Sequence, residues 1–314
     1  MSRDSTAPVR PRALAPGARV ALVAPAGPLD AERIELSRER CQTLQLEPVV
    51  FPAASARHRF FAGPDEERLR DLQAAFDDPA IDAIWALRGG YGTQRILDGL
   101  KLGRQRTDPI PFMGFSDNTA LHVRHATLGV VSFHGPHPGG DFPPETEESL
   151  RWVLFRAEPP GPLRGRPGDP PARTLVEGTA VGPLVGGNLA MLASLCGTRD
   201  ALSTEGRILF LEEVGEPAYR VDRMLLQLRR SGALEGVRGL ALGRFTPGAR
   251  DTGEDEHAVE DVLREYAEAL AVPAVVDLPF GHVVHNCTLP VGVRGRLDGG
   301  AATLELLEPA VREG

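Results

Sequence analysis

Residues Pro111–Leu128 read PFMGFSDNTALHVRHATL. A short apolar run, Pro111–Phe115, ends in a polar turn, and a helical stretch, Asn118–Leu128, follows. Apolar runs of this length are expected of strands covered on both faces. The same unit recurs on either side. Arg19–Ala24 (RVALVA), Pro48–Phe51 and Ala83–Leu87 (AIWAL) precede it, and Val130–Phe133 follows. Helical segments separate these strands. One runs from an N-capping Asp30 to about Leu44; another covers Pro64–Phe76, with Pro and acids in its first turn. Strands alternating with helices predict right-handed βαβ units and a parallel sheet.

A helix near Glu145–Phe155 leads to a break in composition. Pro159–Pro171 (PPGPLRGRPGDPP) has nine Pro or Gly in thirteen residues, which no element interior tolerates. Beyond it the pattern restarts. Arg207–Leu211, Gly239–Leu242, Ala274–Leu278, Val291–Leu297 and Thr303–Leu307 are strand-like. Val221–Arg230 and Glu256–Leu270 are helical. The organisation expected is a flexible tail over 1–18, an α/β domain over 19–156, a linker over 157–176 and a β-rich α/β domain over 177–314. The first domain is expected to be a flavodoxin-like or Rossmann-like parallel sheet.

Composition narrows the function. The chain has 314 residues and a formal charge of −8, which argues against non-specific binding to phosphate backbones. Lys101 is the only lysine, so nearly all positive charge is arginine. Cys41, Cys196 and Cys287 are far apart and odd in number, so neither a disulfide framework nor a CxxC metal site is expected. No run of about 18 apolar residues suggests a membrane span, and the Arg- and Pro-rich start lacks the apolar core of a signal peptide. These features point to a cytoplasmic protein.

Several stretches have the residue types that chemistry needs. Ser116 stands where a strand gives way to a helix. There its hydroxyl is presented at the carboxyl edge of the sheet and helix N–H groups point at it, as in a nucleophile elbow. Asn118 replaces the second glycine of that motif, and the alternative is that Ser116 simply caps the helix. Arg88-Gly89-Gly90-Tyr91-Gly92 follows the AIWAL strand and is either a tight turn or a loop that lets backbone approach a ligand. From there Gly90 can donate an oxyanion N–H. Glu212-Glu213 ends the RILFL strand, as helix-capping acids or as the carboxylate that orients an imidazole. Gly186-Gly187-Asn188 is a helix cap or a second ligand loop. Among eight histidines, His58 and His257 stand in polar contexts, while His122 and His125 follow Ser116 on its helix. His134/His137 and His282/His285 form HxxH pairs, but Gly-Pro interrupts the first and no HExxH is present, so neither a metal nor a cofactor is expected.

These segments together resemble the LD-carboxypeptidase family, the muramoyltetrapeptide carboxypeptidases. The matching stretches are VALVAPAG, LRGGYGTQRIL, GFSDNTAL and FHGP in the first half. In the second half they are GGNLAMLASLCGT, ILFLEEVGEPAYRVDRMLLQLRRSG and FGHVVHNCTLPVG. They run from Val20 to about Gly292. Microcin-C self-immunity peptidases are relatives with the same triad. The resemblance implies a Ser-Glu-His triad split across two domains: Ser116 from GxSD, Glu212 as the first acid after the apolar strand, and His282 after glycine in FGH. It implies backbone N–H donors from Gly90 and Asp117, with Arg88, Tyr91 and Asn188 as candidate substrate contacts. The implied reaction releases terminal D-Ala from murein tetrapeptides during cytoplasmic peptidoglycan recycling, by a homodimer with no nucleic-acid or membrane partner. The proline-rich linker and the N-terminus are this chain's own. Three alternatives stand beside it: a microcin-immunity-type peptidase cleaving aminoacyl-nucleotide amides, a metallohydrolase using the HxxH pairs, and a non-catalytic binding module.

Overall fold

The computed structural model describes residues 7–246 and 254–314. In the first half, the chain runs β1 (Arg19–Val23), α1 (Ala31–Thr43), β2 (Glu47–Val50), α2 (Asp65–Asp77), β3 (Ala83–Ala86), α3 (Thr93–Ile96), α4 (Gly103–Thr107), β4 (Phe112–Gly114), α5 (Thr119–Leu128), β5 (Ser132–His134) and α6 (Pro144–Leu154). The second half runs β6 (Gly161–Pro162), β7 (Arg173–Val176), β8 (Thr179–Asn188), α7 (Leu189–Leu195), β9 (Ile208–Val214), α8 (Ala218–Arg230), β10 (Gly239–Thr246), α9 (Glu254–Leu270), β11 (Ala274–Val276), β12 (Leu289–Val291), β13 (Arg294–Asp298) and β14 (Thr303–Leu306).

The first five strands are parallel and lie in the order β2-β1-β3-β4-β5, the flavodoxin-like arrangement. The order reverses between β1 and β3, so the loops leaving their carboxyl ends open a crevice where such sheets bind ligands. Both strands are almost wholly buried, as their unbroken apolar runs require. Trp85, Phe112 and Phe133 fill this core, and the Trp85 indole N–H donates to the Pro136 carbonyl at 2.8 Å.

The second sheet has eight strands in the order β6-β14-β13-β8-β9-β10-β11-β7. Strands β8 to β11 are parallel; β7, β13, β14 and β6 add antiparallel edges. Strand β8 has no counterpart among the sequence expectations, because Gly182, Gly186 and Gly187 blunt its apolar alternation. The close packing needs them: a Cβ on Gly186 would stand 1.8 Å from the Phe210 carbonyl oxygen.

Three expectations are corrected. The segment Val291–Leu297 is not one strand. Gly292, at φ 94°, separates β12 from β13, and the two enter different sheets. Strand β12 crosses back to pair antiparallel with β5, placing Leu289 opposite His134. The Pro/Gly-rich stretch 157–176 is not a free linker: β6 pairs with β14, β7 pairs with β11, and the chain between them lines the intersheet cleft. Nor do residues 7–18 of the expected tail hang loose; residues 1–6 lie outside the described residues. The Val9 amide donates to Gly129, Val9 accepts from Val131, and Leu14 donates to Leu154 at 2.8 Å. Asp30 occupies the expected N-cap position of α1 but makes no side-chain cap; it accepts from Arg57 at 3.2 Å instead.

Leu14 is only 5% exposed within the first core. Leu14→Ala should therefore cost about 2–3 kcal/mol of unfolding free energy by urea titration. A side chain on a loose tail would change stability by less than about 0.5 kcal/mol.

Candidate active site

Strand β4 ends at Gly114, and Ser116 opens a short 3-10 turn, Ser116–Asn118, that runs into α5. Ser116 has φ 61°, a left-handed conformation that a residue with a Cβ adopts only at a cost. Two neighbours hold it there. Asn118 is buried, and its amide donates to the carbonyls of Arg88 and Phe115 at 3.2 and 3.1 Å, tying the serine turn to the glycine loop after β3. Asp117 is buried and accepts from the Thr93 amide at 2.8 Å. Burial raises the Asp117 carboxyl above its ordinary range, against the hydrogen bonds from Thr93 that lower it.

Gly89 and Gly90 lie against this turn. A Cβ on Gly89 would stand 2.8 Å from the Ser116 Cβ, 2.9 Å from its Oγ and 3.2 Å from the Asp117 amide nitrogen. Only glycine allows that approach. Gly90 has φ 105°. The loop after β1 closes on the same place, with the Gly27 amide donating to Gly89 at 3.0 Å. Arg68, fully buried on α2, donates to the carbonyls of Pro25 and Gly92 and so ties the two loops from below.

From the other sheet, β9 continues three residues past the predicted RILFL strand, to Val214. Glu212 and Glu213 therefore point to opposite faces. Glu212, with no exposed surface, accepts from His282 Nδ1 at 2.6 Å. Glu213 points away, accepting from Asn188 Nδ2 at 3.0 Å and the Ala190 amide at 2.7 Å, and thereby seats the start of α7. Burial pushes the Glu213 carboxyl up to about 7. His282 sits in the chain that crosses from β11 in the second sheet to β12 in the first. Burial lowers its pKa, but the hydrogen bond and charge of Glu212, joined by Glu213, outweigh that and leave it raised above 6.5. Gly281, at φ 111°, makes the approach feasible, because a Cβ there would lie 2.8 Å from the Glu212 Cβ.

Ser116, Gly89, Gly90, Arg88 and His282 share one cleft between the sheets, with a volume of about 1620 Å³. The Phe115 ring, next to Ser116, lies 4.8 Å from the His282 ring. The strap Leu163–Ala172 forms part of the opposite wall, a role its composition concealed.

The remaining candidates have other contacts, although His137 and His285 also line the cleft. Asn188 is 5% exposed; its Oδ1 accepts from the Met191 amide and its Nδ2 serves Glu213, so it caps α7 and does not face the cleft. Tyr91 packs against Phe60 and Phe61 outside the cleft lining. His285 is buried, with Nδ1 2.9 Å from Thr146 Oγ1 and Nε2 2.8 Å from the Arg164 carbonyl, so Nε2 carries the proton and the ring serves as a structural pin. His137 donates from Nδ1 to the Ala86 carbonyl at 3.0 Å, and burial drives its pKa down to about 3. His122 bridges Ser132 Oγ and the Gly114 carbonyl, while His125 bonds the Leu121 carbonyl. His282 and His285 thus have separate protein partners, and His137 bonds Ala86, whereas neither ring nitrogen of His134 has a hydrogen-bond partner among the described residues.

Comparison with known proteins places this geometry. Residues 20–135 match the LD-carboxypeptidase N-terminal domain, and residues 181–297 match the LD-carboxypeptidase C-terminal domain. The chain is 44% identical to a putative carboxypeptidase of Streptomyces coelicolor over 312 residues, covering 96% of this chain and 97% of that protein. It is 37% identical to a murein tetrapeptide carboxypeptidase of Pseudomonas aeruginosa over 291 residues, covering 90% of this chain and 93% of that protein. The crystal structure of an MccF-like protein from Bacillus anthracis superposes with a TM-score of 0.83 at 25% identity, covering 95% of this chain and 99% of the other. With both halves of the fold matched, and a full-length relative well above 30% identity, the chain belongs to the LD-carboxypeptidase family of serine peptidases, kin to the MccF-type proteins.

Proposed function

We propose that the cleft hydrolyses the bond between an L-centre and a terminal D-Ala in murein tetrapeptides, with Ser116, His282 and Glu212 as the triad. The observation that carries this is the 2.6 Å contact between buried Glu212 and His282, in the same cleft as a serine held at φ 61°. The murein tetrapeptide named for the Pseudomonas aeruginosa relative supports the substrate class. Family resemblance is also the ground for assigning the protein to cytoplasmic peptidoglycan recycling as a homodimer.

Glu212 accepts a hydrogen bond from His282 Nδ1–H, which leaves Nε2 as the basic nitrogen that takes the Ser116 Oγ proton. Oγ then attacks the scissile carbonyl. The developing oxyanion is taken by the backbone N–H groups of Gly90 and Asp117, fixed in place before reaction by the Gly89 contact and the turn into α5. Protonated His282 gives its proton to the departing amine, releasing D-Ala and leaving an acyl-Ser116 ester. Water, deprotonated by His282, hydrolyses that ester and restores the serine. Arg88 adjoins the glycine loop, tethered to the Pro28 carbonyl at 2.7 Å, and among the described residues no carboxylate forms an ion pair with it. We assign its guanidinium to the free carboxylate of the substrate, which would favour a terminal residue over an internal one.

The direct test is mass spectrometry of synthetic tetrapeptides with Lys or diaminopimelate third and D- or L-Ala fourth. Free D-Ala is expected from the D-terminal peptides only; release of L-Ala alone, or preference for an aminoacyl-nucleotide amide, overturns the reading. Ser116→Ala should lower kcat by a factor on the order of 10⁶. More than a tenth of the activity remaining excludes Ser116 as nucleophile. Ser116→Gly should be equally inactive yet about 1 kcal/mol more stable, since glycine relieves the left-handed strain. Because His282 acts as a base, kcat/KM should fall as pH drops through its raised pKa, placing the acid limb above 6.5. Glu212→Gln removes the raising charge, so the limb should move to lower pH while kcat drops about 10⁴-fold. An unmoved limb assigns the titration to another group.

A further inference from the structure

Glu212 has a second carboxylate oxygen, and the mechanism above leaves it without a role. Its Oε1 is fully buried and, among the described residues, has no hydrogen-bond partner. A buried carboxylate needs its remaining lone pairs met as well as its charge. The polar atom that faces Oε1 comes from the other sheet: His134 Nε2, at the end of β5, 4.0 Å away. The His134 side chain is itself 0% exposed, and neither of its ring nitrogens has a partner among the described residues. Three orphaned polar atoms are thus buried together at the junction of the two sheets.

We propose that His134 is a positioning residue: its Nε2–H holds Glu212 Oε1, so that Oε2 stays aimed at His282 Nδ1. This rests on the triad reading given above. The hydrogen bond needs the two sheets to approach by about 1 Å, since a good N–H···O contact spans about 2.9 Å. Modest closure of an intersheet cleft supplies motion of that size. Closure on a bound substrate would then tighten the acid–base pair at the moment it is used.

The surroundings suit a neutral donor. The His134 ring packs edge-on against Phe115 at 5.9 Å and Phe210 at 5.3 Å. The titratable groups facing it are His122 on α5, His137 beyond β5, His282 in the crossing chain and Glu212 on β9. Burial first, and then the three neighbouring imidazoles, keep His134 well below its ordinary pKa. It therefore faces Glu212 as an uncharged imidazole and can donate without competing for the proton that His282 moves.

The test separates holding from filling space. His134→Phe and His134→Leu keep an apolar side chain between Phe115 and Phe210 but remove the donor. His134→Gln loses the ring but keeps an amide N–H within reach of Oε1. The readout is the second-order rate of Ser116 labelling by a small fluorophosphonate, in which Oγ displaces fluoride from phosphorus and His282 takes the proton. It requires no murein substrate. In folded variants with unchanged circular dichroism, Phe and Leu should each slow labelling about tenfold or more, as groups that orient a reactive ligand do. Gln should recover to within about threefold of wild type. The opposite order, with Phe silent and Gln impaired, shows that His134 only fills space and overturns the proposal, as do equal losses in all three. If wild type labels but releases no D-Ala, the substrate assignment fails while the role of His134 is still decided. A wild type that does not label removes Ser116 as nucleophile and this proposal with it.

Discussion

Everything at the site depends on one short antiparallel pairing, Leu289–Val291 against Ser132–His134. Strand β12 belongs by sequence to the second half of the chain, yet it closes the edge of the first sheet. Its three residues are fully buried, so the pairing is both an edge cover and a piece of core. The chain that brings it there leaves the second sheet at β11 and must cross the cleft, and His282 lies on that crossing. Both ends of the crossing are anchored in sheets, and its middle is pinned by Asn286, whose side chain accepts from the Gly281 amide at 3.0 Å. His285 and Thr146 add a second pin. An imidazole carried by a loop is thereby held about as firmly as one carried by a strand.

A second contact sets how the two halves face one another. Helix α5, which starts just after Ser116, lies on strand β8. A Cβ on Gly187 would stand 2.5 Å from Thr119 Oγ1, so glycine lets the helix settle directly on the strand. Thr119 Oγ1 accepts from the Asn188 amide at 3.0 Å, and Arg124 on the same helix pairs with the mostly buried Asp200. The helix that follows Ser116 is thus also the bearing between the sheets. Asn188 and Glu213 belong to this joint, which explains why residues with the chemistry of a binding site are used as structure.

Strain and close approach are concentrated around the serine. Ser116 is left-handed, Gly89 has no room for a side chain, and Gly281 admits Glu212 only because it has none. Such departures from relaxed backbone persist where surrounding contacts over-determine them. Here those contacts are the Asn118 and Asp117 hydrogen bonds and the Arg68 tie beneath the loops. They also hold the loop and turn whose Gly90 and Asp117 N–H groups are proposed above as oxyanion donors, the kind of preorganisation that electrostatic catalysis requires.

The sequence by itself determined the parallel first sheet, because apolar runs separated by amphipathic helices have few other ways to bury both faces. It also marked Ser116, and strand alternation put Glu212 and Glu213 on opposite faces, because the period of two is a local property; the choice of Glu212 between them came from resemblance. The choice of His282 over His285 came from resemblance; in the structure His282 contacts Glu212, while two other bonds occupy His285. What no local pattern contained was the exchange of β12 between sheets, since Val291–Leu297 reads as one strand until Gly292 turns it. The Pro/Gly-rich strap and the first residues misled for the same reason: composition describes what a segment cannot do alone, whereas its partners, Leu154, Arg312 and β14, lie far away in the chain. His134 was legible only as half of an HxxH pair. That its ring faces Glu212 at the buried junction of the two sheets was decided by tertiary packing, because the contact joins residues 78 positions apart through two sheets whose relative placement no single segment encodes.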